Sequence, residues 1–399
     1  MINKMEKELE LYLHIPFCVR KCAYCDFLSA PADEAARQEY VDALLMEIQG
    51  YKETYYVPYR VTTVFIGGGT PSLLTAKQIT EIFAALHQSF RLADTAEITI
   101  EVNPGTITEE KLRSWKAAGI NRLSIGLQSA DNEELKMLGR IHTWEEFMET
   151  YTLAREKGFE NINIDLISAI PGQTEASWEN TLTRAARLDP EHISAYSLIV
   201  EEGTPFYERY GEPDGQRAVD VIDTENPELP SLPDEDTERA IYEMTAGILL
   251  HYGYHRYEIS NYAKKGYECR HNLGYWERKE YLGIGLGASS FVKGSRYHNT
   301  EDISSYLKKV QGREEIKEDV EQLSTADEIE EFMFLGLRET KGISISRFEQ
   351  LYKQSIFDVY GTELEKLTEG ELLTVDGDHI RLTGRGIDVS NLVFIEFMR

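Results

Sequence analysis

Cysteine is scarce in this chain, with four residues in 399. Four thiols and no secretory leader exclude a disulfide framework. Long apolar runs are missing as well. No stretch approaches the ~18–20 apolar residues that a membrane-spanning helix needs. The opening MINKMEKELE alternates in charge and lacks the apolar centre of a signal peptide. A soluble cytoplasmic protein is expected. Basic residues are outnumbered, 42 against 69 acidic, giving a formal net charge of -27. Such a surface repels phosphate backbones, so nucleic acid is not the expected partner. No Gly-x-Gly-x-x-Gly opens the first helical stretch, which argues against a dinucleotide fold.

What is present is a repeating order of strand and helix. Strand patterns fall at 9–14, 62–69, 97–102, 121–128, 161–167 and 192–199. Helical spacing fills 39–51, 75–90, 108–119, 131–157 and 177–188. Successive strand-then-helix units predict parallel strands with crossover helices, in an open or closed barrel. Ligands bind such sheets at strand C-termini. The glycines of 67–69, Glu101, Gln128, Asp165 and Ser197 all fall at or near those ends. Singly, each reads as a turn or cap residue; in register across successive strands they mark a site.

Beyond the barrel, residues 208–238 are rich in acid, Pro and Gly and read as a surface excursion. A helix at 238–253 and a strand at 254–260 follow. The last ~75 residues read as a small separate unit. Ser324 and Asp327 form a capping box before an apolar helix, and Asp376-Gly377 separates two strand-like runs. This order is winged-helix-like. The barrel is assigned to residues 1–300 and the C-terminal, winged-helix-like lid to 301–399. The acidic balance favours a packing role for that lid over DNA binding.

Three of the four cysteines, Cys18, Cys22 and Cys25, lie together after the first strand. Their spacing lets one loop wrap three thiolates around a small object. A closed zinc site takes four ligands, which Cys269 or a histidine would complete. A [4Fe–4S] cube is also held by thiolates and can leave one iron without a protein ligand. On the residues alone both remain open.

The C-x3-C-x2-C spacing, with Tyr24 before the last cysteine, resembles the signature of the radical S-adenosylmethionine superfamily. The resemblance implies a partial (β/α)6, TIM-like barrel. It also implies a [4Fe–4S] cluster whose free iron is chelated by the methionine end of S-adenosylmethionine, giving a 5′-deoxyadenosyl radical. Family analogy makes Gly67, Gly68, Gly69 and Thr70 of GGGTPS a cradle for the methionine amino group. Glu101, Gln128, Arg140 and Asp165 become cofactor or substrate contacts by the same analogy. Tyr12, Tyr24 and Ile199 match further contact positions. LYLHIPFCVRKCAYCDF (11–27), RLSIGLQS (122–129) and HISAYSLIVEEGTPF (192–206) narrow the resemblance to the oxygen-independent coproporphyrinogen III oxidase-like family, over nearly the whole chain.

Two activities divide that family. The oxidase decarboxylates a porphyrinogen and carries a further cysteine two residues after the third, where this chain has Phe27. It also has a longer arm before the first strand. Heme chaperones of the family carry HNxxYW, here HNLGYW at 271–276. His271 and Cys269 are candidate iron ligands, and Tyr275 and Trp276 candidate porphyrin faces. The expected function is therefore heme binding and transfer, with porphyrinogen decarboxylation as the alternative. Expected partners are heme or a porphyrin, a heme-acceptor protein that is free or membrane-associated, and an electron donor; the chain is a monomer or a dimer. The glycine-rich GIGLGASS (283–290) fits a strand end closing over the cofactor.

Overall fold

The computed structural model describes residues 6–211 and 230–398. Most of the acidic excursion expected at 208–238 lies outside them. Six parallel strands form the barrel wall: β1 (Lys7–Ile15), β2 (Tyr59–Gly68), β3 (Leu92–Val102), β4 (Arg122–Gln128), β5 (Ile162–Ser168) and β6 (His192–Ser197). The remaining strands of the large sheet are β7 (His255–Arg256), β8 (Asn261–Ala263), β9 (Tyr281–Ile284), β10 (Ser289–Val292), β11 (Ser295–Asn299) and β12 (Lys317–Gln322). Their order is β12-β11-β10-β9-β1-β2-β3-β4-β5-β6-β8-β7. β1 and β6 do not pair with each other, so the (β/α)6 barrel is partial. β9 runs parallel to the free edge of β1, and β8 antiparallel to that of β6.

Alternation along β1 sets the layers. Leu9, Leu11, Leu13 and Ile15 are fully buried against the crossover helices. The intervening Glu10, Tyr12 and His14 turn into the barrel, where Tyr12 stacks on Phe65 of β2. Helix starts follow local chemistry. Thr75 with Gln78, and Thr143 with Glu146, make reciprocal capping boxes. The helix Glu109–Ala118 ends on left-handed Gly119. The stretch expected to be helical over 131–157 is two helices, Asn132–Met137 and Trp144–Glu156. The break between them delivers Arg140 to the barrel mouth.

One other expectation changes. The strand expected at 254–260 shrinks to β7 and a turn, because Glu258 folds back to accept from Ser260 N and Asn261 Nδ2. HNLGYW lies in the helix Arg270–Trp276. The Glu97 carboxylate draws it into the barrel by accepting from the amides of Arg270 and His271, each at 3.2 Å.

The C-terminal unit packs its own apolar cluster from Ile329 to Phe397. Its sheet, β13 (Ile343–Ser344), β15 (His379–Leu382) and β14 (Leu373–Asp376), stands beside the helices Ile345–Tyr352 and Ile356–Glu369 in a winged-helix-like arrangement. The expected capping box at Ser324 and hairpin at Gly377 are both present. The large sheet continues through β12 to Gln322, past the division placed at 300. β12, KEDVEQ, has Val320 as its single apolar residue, and that side chain is exposed, so apolar patterning does not reveal it.

Candidate functional site at the barrel mouth

The loop after β1 carries the three cysteines at the C-terminal edge of the sheet. Backbone bonds fix both its ends. Cys18 N donates to Ala30 O at 3.1 Å and Ala30 N to Pro16 O at 3.0 Å. Its middle is tied across the mouth, with Ala23 N donating to Leu138 O and Phe206 N to Ala23 O. All three thiols are free and half-buried. Burial pushes the Cys25 thiol up to about 11, and the neighbouring Cys22 and Cys18 sulfurs push the same way. A trio of thiols sharing a poorly solvated loop ionises when a cation is bound there, which suits a metal centre. Among the described residues, no three His, Cys, Asp or Glu side chains are arranged to hold a single metal ion. A single zinc ion needs such convergence, whereas a cube spreads its thiolates around a larger body.

One asparagine, not anticipated from the sequence, links the loop to the barrel. Asn103 Nδ2 donates to Thr70 Oγ1 at 2.9 Å, and Thr70 Oγ1 lies 3.6 Å from Cys18 Sγ as its donor. Asn103 Oδ1 accepts from Arg140 Nη2 at 2.9 Å, while Arg140 Nη1 donates to Cys22 Sγ at 3.7 Å. Arg140 also donates to Gly126 O. Its guanidinium is therefore aimed at a thiol of the loop. Gln128 closes the same corner from the end of β4, at a positive φ of 70°. Tyr24 packs under the loop near Phe206, and burial pushes its hydroxyl well up.

The GGGTPS turn presses against the cysteine loop. Gly69 N donates to Ile15 O at 2.9 Å. A Cβ on Gly69 would stand 2.6 Å from Phe17 O and 3.0 Å from Cys18 Sγ, so only glycine fits. Gly68 N donates to Glu101 Oε2 at 3.2 Å. Burial and the nearby Asp165 push the Glu101 carboxyl up to about 8, against the pull of that amide. Asp165 accepts from Ser124 Oγ and Asn163 Nδ2, and burial raises its pKa also. Beside this turn, on β1, His14 Nε2 donates to the Leu28 carbonyl at 2.8 Å. That leaves Nδ1 to accept from Tyr12 OH at 3.0 Å. Burial lowers the His14 pKa and keeps the ring neutral.

A cavity of about 610 Å³ opens from this mouth toward the C-terminal unit. Tyr12, His14, Gly68 and Glu101 line one end; Tyr275, Trp276 and Leu335 line the other. Phe27, 58% exposed at the place of the absent fourth thiol, joins the wall. Gly287, Ala288 and Ser289 of the expected strand-end turn do so as well.

Neither candidate heme-iron ligand reaches this cavity. His271 is 1% exposed, and both its nitrogens are engaged: Nδ1 with Thr63 Oγ1 at 2.7 Å, Nε2 with Tyr275 OH at 2.9 Å. Burial lowers its pKa to about 3. Cys269 is fully buried beside Glu97, with its thiol pushed up to about 12 by burial. Ile199, 67% exposed, lines a different hollow of about 350 Å³ with Leu198 and Tyr207. Alternation was the available signal for the unanticipated Glu10 and His14. In ELYLHI the residues between leucines are polar or aromatic, which suits a barrel with a polar interior.

A partial (β/α)6 barrel with a thiol loop after its first strand defines a radical SAM protein. The Radical SAM superfamily profile matches residues 12–185, and that of the HemN C-terminal domain matches 323–389. The chain belongs to the HemW family. It is 36% identical to heme chaperone HemW of Lactococcus lactis over 99% of this chain and 98% of that protein. Against HemW of Bacillus subtilis it is 36% identical over 97% and 98%, and against HemW of Escherichia coli 40% identical over 71% and 70%. Among solved structures, coproporphyrinogen III oxidase (HemN) from Escherichia coli superposes with a TM-score of 0.83 at 26% identity, covering 98% of this chain and 90% of that one.

Proposed function

We propose that this chain binds heme in the 610 Å³ cavity and passes it to an acceptor protein, with a [4Fe–4S] cluster and S-adenosylmethionine at the barrel mouth. The observation that carries this reading is the single cavity joining Tyr12, His14, Gly68 and Glu101 to the Tyr275–Trp276 wall. Its size lies within the roughly 300–1,000 Å³ usual for cofactor sites. Aromatic walls suit a flat apolar macrocycle with polar edges.

Cys18, Cys22 and Cys25 would hold the cluster. Arg140 and Thr70 would donate to two of its thiolates, fixing their orientation and lowering the charge they present. The Gly67–Gly69 turn and Thr70, with Glu101, Gln128 and Asp165, would receive the amino acid and ribose of the cofactor. When bound, the cluster supplies a low-potential electron to the cofactor sulfonium. Tyr275 and Trp276 would meet the porphyrin face. His271 would reach the iron only by giving up its Tyr275 hydrogen bond, and Cys269 only by leaving Glu97. No described helix is long and apolar enough to cross a membrane. This agrees with a chaperone that works in the cytoplasm and visits its acceptor.

Anaerobic titration with hemin tests the reading. The expected result is a saturable Soret band, weakened in Trp276→Ala. Absence of saturable binding by the wild type sinks it. The resemblance to the oxidase keeps one second reading, porphyrinogen decarboxylation. Phe27, occupying the position of the oxidase's extra cysteine, disfavours it. Incubating the reduced protein anaerobically with S-adenosylmethionine and coproporphyrinogen decides between them: formation of protoporphyrinogen would favour the enzyme.

A further inference from the structure

Among the described residues lining the 610 Å³ cavity, Arg296 is the one permanent cation. It rises from β11 at the far end from Glu101. Its guanidinium lies 5.7 Å from the centre of the Phe291 ring, and that of Arg278 lies 5.3 Å from the same ring. Both converge on one carboxylate of the C-terminal unit. Arg278 Nε donates to Glu331 Oε2 at 3.0 Å, and Arg296 Nη2 is 2.8 Å from Glu331 Oε1.

Two guanidiniums share one carboxylate at this contact, and Glu321, opposite Arg296 on β12, makes no ion pair with it among the described residues. Arg278 and Glu331 are nearly buried, at 11% and 9% exposure, whereas Arg296 is 40% exposed. The Arg278–Glu331 pair is thus the enclosed one, and the more open Arg296 is the guanidinium that lines the cavity. A cation held on a mostly apolar wall favours an anionic guest. Glu331 already shows that a carboxylate can be received at this guanidinium in hydrogen-bond geometry.

We infer that Arg296 anchors a carboxylate of the cavity's occupant. On the heme reading above, on which this rests, that carboxylate is a propionate. The propionate takes over an N–H edge of Arg296 while Arg278 keeps Glu331 paired. The aromatic wall then receives the macrocycle, and the charged edge faces the junction with the C-terminal unit. Arg296 thereby sets which way round the porphyrin enters.

The test compares hemin with its dimethyl ester, which lacks free carboxylates, on the full chain. Binding is read by quenching of tryptophan fluorescence, since Trp276 lies in the wall. The wild type is expected to prefer the free acid about tenfold, the worth of one charge-assisted contact. Arg296→Met removes the charge but keeps an aliphatic stem on Phe291. It is expected to abolish the preference by losing free-acid affinity, with ester affinity retained as its check on folding. Glu331→Gln frees Arg296 from its competitor and is expected to widen the preference. Equal binding of both porphyrins by the wild type overturns the inference, as does a preference that survives in Arg296→Met. S-adenosylmethionine also carries a carboxylate. Its affinity is expected to be unchanged in Arg296→Met, and a selective loss there would assign the anchor to the cofactor and overturn the propionate. Failure of the wild type to bind either porphyrin is a separate outcome, which sinks the heme reading itself.

Discussion

Gly274 lies directly against the Glu10 carboxyl. A Cβ built on this glycine collides with Glu10 Oε1, Oε2 and Cδ together. Gly274 sits in the helix Arg270–Trp276, which packs against β1, β2 and β3 from within the barrel, and Glu10 is on β1. The glycine of HNLGYW is therefore there to let helix and strand approach.

Gly274→Ala tests that contact. Alanine gains up to about 1 kcal/mol of helix propensity over glycine. Overpacking a rigid interior costs about 1–3 kcal/mol. The clash involves a whole carboxyl, so the cost dominates and the variant unfolds at lower denaturant. Combining it with Glu10→Ala removes the obstacle and recovers much of the loss. Denaturation of the two single variants and the double variant measures the coupling. Additive losses would show that the two residues do not meet.

Glu10 also predicts a pH dependence. Both its oxygens are buried without a hydrogen-bond partner. Burial raises its pKa from 4.5 to about 9, with Lys279 opposing. Between those values the folded chain holds a proton that the unfolded chain has released. Stability from this group is complete below about pH 4.5 and is lost as pH rises through about 9. The slope is at most about 1.4 kcal/mol per pH unit. Glu10→Gln cannot titrate, so its stability relative to wild type should climb from pH 5 to pH 8, as read by urea unfolding. A constant difference would contradict this.

The cysteines should divide three against one. Replacing Cys18, Cys22 or Cys25 by alanine is expected to strip iron and sulfide from anaerobically reconstituted protein while leaving the far-ultraviolet circular dichroism unchanged, because the thiols stand on a half-exposed loop. Cys269→Ala should keep full iron and sulfide and lose stability, since its thiol is buried beside Glu97. Iron loss in Cys269→Ala would make it a fourth ligand.

Asn103 offers a subtler change. Asn103→Ala breaks the bridge between Thr70 and Arg140 and so loosens the donors to Cys18 and Cys22 together. Losing such outer partners typically costs about 10–100-fold in metal affinity. We expect faster cluster loss to a chelator, followed by the decay of visible absorbance. Asn103→Asp, which keeps an acceptor for Arg140 but loses the donor to Thr70, should fall between.

Much of this architecture could be read from the chain alone. The cysteine spacing, the glycine turn and the strand-end polar residues fell where local pattern and loop position suffice. Glu101 and Asp165 do sit close enough to act on one another. His271 shows the limit. Its spacing to Tyr275 gave no sign that the two would bond to each other, with Thr63 from β2 taking the other nitrogen. That pairing depends on β2 and a helix some 200 residues later, a separation no window of sequence spans. Asn103 was hidden for a related reason. It follows β3 as an ordinary turn residue, and its importance comes only from Arg140 and Thr70 arriving on either side. β12 gives no alternating pattern, because Val320 is its one apolar residue and points to solvent.

An unclosed barrel has a consequence for biosynthesis. β1 gains its second neighbour only when the distant Tyr281–Ile284 is in place. The Arg270–Trp276 helix, equally distant along the chain, docks on Glu97 of β3. Contacts so distant along the chain form slowly. The thiol loop that follows β1 is thus sheltered late in folding, so a cluster would have reason to be inserted once the barrel is assembled.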